Sequence, residues 1–341
     1  MMNPMAFWPA VAERLAGGSP VFIALVAAAT RGSPGTPGAR MLVDASGQHL
    51  GTIGGGIMEA TVLDQARERL AVGPSPPQLQ RLLHQKTGAA DASGLICAGE
   101  QHNLSMVLDP SADLDVIQRY CHALAHQNAT CATLHIDADG LRLVAEGPQA
   151  ASGLRLTWQA SRWSYAEESL NRRRMLIVGG GHCGAALASL AVGIGYHVEV
   201  FDTRAAVFDA QPWPQAVHRH VLDAYSELSR LLHYAPLTQV LVMTTAVVHD
   251  IEALAALAPI SPAWLGVMGS RAKIAFIRAA LTQRGMADEL LESIHGPVGL
   301  PMKSETPPEI AVSIMAELLT LAPRTTVATS SRSHRQGQHG H

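Results

Sequence analysis

The segment Met175-Leu-Ile-Val-Gly-Gly-Gly-His-Cys-Gly184 most narrows what this chain can fold into. Four apolar residues lead directly into Gly179, Gly181 and Gly184, which satisfy GxGxxG, and a helical pattern of apolar residues follows from Ala185 to Val192. Glycine permits the tight turn and lets a ligand phosphate approach the backbone. The helix N-terminus then offers free N–H groups and a partial positive charge. Asp202 ends the next apolar stretch, His197–Phe201, about twenty residues on, where an acid can meet a ribose hydroxyl. Strand, glycine turn, helix and acid in that order predict a Rossmann-type domain. Two readings of the glycines stand: a cradle for a nucleotide or other phosphate, or close helix packing alone.

The pattern continues downstream. Strands are predicted at Val240–Thr244 and Ala263–Met268, with helices from Asp250 to Leu257 and from Arg271 to Arg284. Such alternation implies a doubly wound parallel sheet with helices on both faces. Ligands of these sheets bind beyond the carboxyl ends of the strands, where Asp202-Thr-Arg204, Thr244–Asp250 and Gly269-Ser270-Arg271 fall. Arg204 and Arg271 offer planar forks matched to phosphate oxygens, and Ser270 offers a hydroxyl. The plainer reading of Arg204 and Asp250 is that they are solvated loop residues. A last helix opens at Thr306-Pro-Pro-Glu309, a capping box with proline at the first helical position.

The first half is organised differently. Val21–Ala28 reads as a buried strand and is followed by Arg31-Gly-Ser-Pro-Gly-Thr-Pro-Gly38, where glycine and proline exclude both helix and regular strand. Met41–Asp44 and His49–Ile53 are predicted as a hairpin, Ile57–Leu70 and Asp113–Ala125 as helices, and Ala129–Ile136 with Leu141–Ala145 as a strand pair. The expected architecture is therefore α/β: a separate N-terminal α/β domain with a mixed sheet over 1–150, a polar linker over 151–170, a Rossmann-like domain over 171–325, and a disordered tail over 326–341.

Three further features bear on chemistry. Gly54-Gly55-Gly56 again separates a strand from a helix and could form a second anion cradle, with Arg40 facing it, or simply a tight turn. Gly94-Leu-Ile-Cys-Ala-Gly99 sets Cys97 among small residues, where a thiolate of lowered pKa could ligate a soft metal or carry sulfur; burial as a small hydrophobe is the alternative. His122 with His126, and His218 with His220, lack a third ligand at sensible spacing, so they are expected to be packing or solvated residues.

The formal net charge of −3 creates no field for nucleic acid or an anionic membrane, leaving small molecules and proteins as the expected partners. The apolar stretch 21–29 is too short to span a bilayer, and no basic residue precedes an apolar run at the start, so neither a membrane span nor a secretory signal is expected. Four scattered cysteines without a CxxC pair fit a reduced, cytoplasmic setting.

Several motifs together carry a resemblance. Gly32-Ser-Pro, Pro37-Gly-Ala-Arg-Met-Leu-Val43 and Gly51-Thr-Ile-Gly-Gly-Gly56 with Glu59 resemble the N-terminal domain of the XdhC/CoxI accessory proteins. Val178–Gly184, Asp202-Thr-Arg204, Gly266-Val-Met-Gly-Ser-Arg271 and Gly299 with Glu305–Ala311 resemble the family's Rossmann domain, in the same order. The resemblance implies a chaperone of molybdenum cofactor (molybdopterin) rather than an enzyme. Such a chaperone shields the cofactor while a cysteine desulfurase helps install its terminal sulfur, and assists insertion into apo-xanthine dehydrogenase. It also implies that Cys97 is a molybdenum ligand, although Ala98 replaces a family glycine and Val247 stands where many relatives carry histidine. Homodimerisation fits proteins of this kind. The alternative is an NAD(P)-dependent oxidoreductase, for which His182 and His249 are candidates by position but have no partner evident in the sequence.

Overall fold

The computed structural model describes residues 4–84, 99–126, 131–145, 153–159 and 162–321. The chain divides into two compact units, the first ending at Leu170 and the second beginning at Asn171.

In the first unit, α1 (Pro4–Ala16) precedes β1 (Val21–Ala29), β2 (Arg40–Val43), β3 (His49–Thr52), α2 (Gly56–Val72), β4 (Ser75–His84), β5 (Gly99–Leu108) and α3 (Pro110–Ala125). Then come β6 (Thr133–Asp137), β7 (Gly140–Val144), β8 (Leu154–Gln159) and β9 (Arg162–Glu168). These strands form a five-stranded sheet, β3-β2-β1-β5-β4, and a four-stranded sheet, β7-β6-β9-β8. Every pairing is antiparallel, so the expected mixed sheet is two antiparallel ones. β1 is buried on both faces by simple alternation. Val21, Ile23 and Leu25 enter the core with α1 and α3, while Phe22, Ala24 and Val26 pack with Met58, Val62 and Ala66 of α2.

The stretch expected to be a linker over 151–170 instead holds β8 and β9, a hairpin in the second sheet. Part of its polarity lies at exposed positions such as Thr157 and Arg162 and part is buried, at Glu167 and Glu168, while Leu156 and Tyr165 are fully buried. The tail beyond 321 lies outside the described residues.

The second unit contains β10 (Arg174–Val178), α4 (His182–Gly193), β11 (His197–Asp202), α5 (Ala206–Asp209), β12 (Val217–Val221), α6 (Leu228–Leu231), β13 (Thr238–Val242) and α7 (Val247–Leu257). It continues with β14 (Trp264–Val267), α8 (Arg271–Gln283), α9 (Asp288–Glu292), β15 (Ile294–His295) and α10 (Pro307–Leu321). The six strands run parallel in the order β12-β11-β10-β13-β14-β15. In order of appearance this is 3-2-1-4-5-6, the doubly wound Rossmann arrangement. β10 alternates between two apolar layers, with Leu176 and Val178 packing toward α7 and α8, and Met175 and Ile177 toward α4 and α10. The strand order reverses between β10 and β13, and the glycine turn leaves β10 at that reversal. No described helix is long and apolar enough to cross a membrane.

Candidate functional site

At the carboxyl end of β10 the three motif glycines serve three different physical needs. Gly179 has φ 118°, and a Cβ on it would stand 2.4 Å from the Met243 carbonyl oxygen. A Cβ on Gly184 would stand 2.1 Å from the Gly179 carbonyl oxygen, so bare glycine lets α4 press against the turn. Gly181, the N-cap of α4, has an ordinary φ of −69° and no neighbouring atom within 4 Å of its missing Cβ. Among the described residues no side chain caps α4. The first and third glycines therefore build the turn, and the second keeps open the approach to an uncapped helix N-terminus.

Asp202 is positioned beside this turn but is already engaged. It is fully buried, and its Oδ2 accepts from Gly180 N (2.8 Å) and Arg204 Nη2 (2.8 Å). Its Oδ1 accepts from Arg204 N (2.9 Å) and Nε (2.9 Å). Burial alone would raise the pKa of this carboxyl; the bonds from Arg204 and Gly180 outweigh burial and hold it below the usual carboxylate range. With two bonds on each oxygen, little acceptor capacity remains for a ribose diol, which is the role the sequence suggested. Arg204 is likewise no free loop residue: Asp202 fixes it bidentately, yet 42% of its side chain stays exposed.

Farther along the same sheet end, Asp250 is fully buried at the start of α7 and is not solvated as the plainer reading had it. Its Oδ1 accepts from Thr244 N (3.0 Å) and the Thr244 hydroxyl (2.7 Å), and Oδ2 pairs with Lys273 Nζ at 2.5 Å. Ser270 is spent as the N-cap of α8, accepting from Lys273 N, and Arg271 is exposed at the first helical position.

In the first unit, three motif segments converge on a residue the sequence reading missed. The Gln101 side chain, fully buried, accepts from Gly35 N (3.0 Å) and the Ser33 hydroxyl (3.1 Å). It donates to the Ile53 carbonyl (3.1 Å) and Asn103 Oδ1 (2.7 Å). A Cβ on Gly54 would lie 2.7 Å from Gly35 N, and one on Gly99 would lie 2.7 Å from Ser33 N. The Gly/Pro loop, the Gly54 turn and the start of β5 are thus stitched together by one amide. No apolar alternation marked it, because Gln101 shares its face of β5 with Asn103 and Ser105 and the strand opens with a polar run.

Gly54, Gly55 and Gly56 all have positive φ (134°, 74° and 70°), as a turn that only glycine tolerates. Their cradle is not free, however. Glu59 Oε2 accepts from the Thr52 hydroxyl (2.5 Å), Ile53 N (3.2 Å) and Gly55 N (3.1 Å), placing the chain's own carboxylate where an external anion was expected. Nor does Arg40 face this turn. It is buried beside Phe7, donates from Nε to the Gly38 carbonyl (2.9 Å) and pairs with Glu167 at 2.8 Å. An arginine on a four-residue strand with both faces covered must find its counter-charge inside. Cys97 lies outside the described residues.

Among the described residues no group of three or more His, Cys, Asp or Glu could hold a metal ion. His122 and His126 stack on each other with centroids 3.9 Å apart, and His218 and His220 lie on β12 beside Glu199 and His197. His249 packs near the Tyr225 ring.

Comparison with known proteins agrees with this geometry. Residues 175–318 match the XdhC Rossmann domain, and residues 14–82 match the XdhC and CoxI family. The chain is 26% identical over 292 residues to an uncharacterized protein, YqeB, of Escherichia coli strain K12, covering 85% of this chain and 41% of that one. It is 29% identical over 156 residues to a probable xanthine dehydrogenase subunit of Bacillus subtilis strain 168, covering 45% and 44% respectively. The chain thus spans less than half the length of these curated relatives. A crystal structure described as a xanthine dehydrogenase from Bacillus halodurans shares the fold with TM-score 0.69 and 20% identity, over 94% of this chain and 96% of that one. With both halves matched in order and the glycine turn at the sheet reversal, the chain belongs to the XdhC and CoxI family.

Proposed function

We propose that this protein binds molybdenum cofactor, protects it during sulfuration by a cysteine desulfurase, and assists its insertion into apo-xanthine dehydrogenase. The observation that carries this reading is the pairing of an open Gly181 with a saturated Asp202. The uncapped α4 N-terminus suits a phosphate, while the neighbouring acid, neutralised by Arg204, offers little to the ribose diol of NAD. A pterin ending in a phosphomonoester meets the first condition and makes no demand on the second. The described residues therefore fit the cofactor's anionic end at Gly181 and the α4 amides, with Arg204 close by in charge. The cofactor would supply the redox metal for its client; this chain's part is to bind, orient and shield.

Of the two glycine turns, the one at Gly179–Gly184 is assigned the phosphate, because Glu59 fills the other. The oxidoreductase alternative draws support from the fold alone, since neither His182 nor His249 has a proton-transfer partner set in the second unit's described residues. The direct functional test is reconstitution of apo-xanthine dehydrogenase with limiting cofactor in the presence of air. Added chain should raise the yield of active enzyme, and no increase at equimolar chain would count against the reading. Cys97→Ala tests the thiol separately: a wild-type yield from that variant removes Cys97 from the cofactor site.

A further inference from the structure

Lys273 occupies an unusual electrostatic position. It is the third residue of α8, whose first turn also carries Arg271 and holds no acid. Helix N-termini disfavour cations, so local preference does not explain two there. The charge is held instead by Asp250 of α7, at 2.5 Å, and by a bond from Nζ to the Met268 carbonyl at 3.1 Å. Of the three ammonium donors one goes to the Met268 carbonyl while Asp250 Oδ2 supplies an ion pair, so donor capacity remains on a side chain that is 25% exposed.

Lys273 reaches this place because of a glycine. A Cβ on Gly269 would stand 2.5 Å from Lys273 Cδ, so a side chain there would require the lysine stem to shift from its present course. A continuous set of contacts also joins Lys273 to the glycine turn. Gly179 abuts the Met243 carbonyl, Met243 N donates to Val178 O (2.8 Å), Thr244 binds Asp250, and Asp250 binds Lys273. The carboxyl ends of β10 and β14 are two strand spacings apart, about 10 Å. A buried ion pair is a weak source of stability compared with apolar packing, which leaves the arrangement unexplained by folding alone.

We infer that Lys273 is an anion-binding residue of this rim, taking a phosphoryl group or similar oxyanion of the ligand, and that Asp250 is the residue that positions its ammonium. The inference rests on the proposal that this end of the sheet holds a phosphorylated ligand, and adds to it a specific cation outside the GxGxxG turn.

The test uses the full chain and inorganic pyrophosphate as the probe, titrated calorimetrically at constant ionic strength. Wild type should bind saturably, and Lys273→Arg should bind within about threefold of it. Because Lys273→Met alone strands a buried carboxylate, the informative variant is Lys273→Met with Asp250→Asn, expected to bind about tenfold more weakly, the scale of one charge-assisted hydrogen bond. A measurement on unaltered protein accompanies it: pyrophosphate should slow reductive methylation of Lys273 but not of Lys303, whose side chain is 91% exposed. Equal affinity in the double variant, unprotected Lys273, or no saturable binding to wild type would each overturn the inference. If the double variant keeps molybdenum cofactor as wild type does, Lys273 is refuted alone. If the chain never retains cofactor yet binds pyrophosphate through Lys273, the functional proposal fails and the anion site stands.

Discussion

Arg40 of β2 and Glu167 of β9 face each other at 2.8 Å with 3% of each side chain exposed, and they tie one antiparallel sheet of the first unit to the other. Glu167 also receives bonds from Trp8 Nε1 (3.1 Å) and the Tyr165 hydroxyl (2.7 Å), so its two oxygens are shared among three donors. Burial disfavours the Arg40 charge, but Glu167 more than offsets it and holds the guanidinium pKa above its usual value. The Tyr120 and Tyr165 hydroxyls are driven well above theirs by burial and by the same carboxylate.

Removing one partner leaves an unpaired charge in the core. Arg40→Met or Glu167→Leu alone should lower unfolding free energy by about 3–5 kcal/mol, and the two together should recover most of it. Denaturant titration of the three variants checks this; additive losses in the double variant would show that the pair is not coupled.

Gln101 should behave as a clasp. Gln101→Leu leaves Gly35 N and the Ile53 carbonyl without their partner, costing about 1–3 kcal/mol for each group that stays dry. Hydrogen exchange should accelerate at Gly35 and Ser33, with β1 and β2 amides left protected. Unchanged exchange at Gly35 would contradict the role.

The glycines of the Rossmann turn should separate into two classes. Gly184→Ala forces a Cβ against the Gly179 carbonyl and should destabilise the second unit by about 3 kcal/mol, the upper range for overpacking. Gly181→Ala enters open space at an ordinary φ and should cost less than about 1 kcal/mol, yet weaken a phosphorylated ligand. Thermal unfolding of both variants, with and without pyrophosphate, distinguishes them. Equal stability losses would erase the distinction.

Asp202 makes the second unit sensitive to acid. Its folded pKa lies below the unfolded value of about 3.9, so its bonds stabilise the fold above that pH and are lost as pH falls through the depressed value. Stability should therefore drop as pH falls below about 4, and Asp202→Asn should flatten that part of the profile while lowering stability at neutral pH. A profile identical to wild type below pH 4 would contradict it.

The second unit was legible because its signals are local. The strand–glycine–helix order fixes β10 and α4, and the alternation of apolar runs gives β11, β13 and β14 within a few residues. The capping box before α10 is also present, with Glu309 accepting from Glu305 N and Thr306 N. The first unit hid more. No strand was expected at β4, whose Pro76 and Pro77 sit at a register shift on an edge strand, where proline is tolerated. β8 and β9 read as a linker because polar residues stand both at their exposed positions and, as Glu167 and Glu168, at buried ones. Helix α1 carries Pro9 inside it and no acid in its first turn. Among site residues, the glycines could be read from chain order, but their occupants could not. Gln101, Glu167 and Lys273 act through partners well removed in the chain, up to 159 positions for Glu167 and Trp8, and Glu59 folds back onto the turn before it, arrangements visible only once the chain is folded.

The most direct test of the functional account is retention of cofactor. Purified chain is mixed with molybdenum cofactor released from a donor enzyme, passed over a desalting column, and assayed for molybdenum and pterin. Wild type should hold close to one equivalent of each per binding site, Gly181→Ala should hold substantially less, and saturating NADH should not displace what is held. Absence of both molybdenum and pterin from the protein fraction, or full displacement by NADH, would contradict the account.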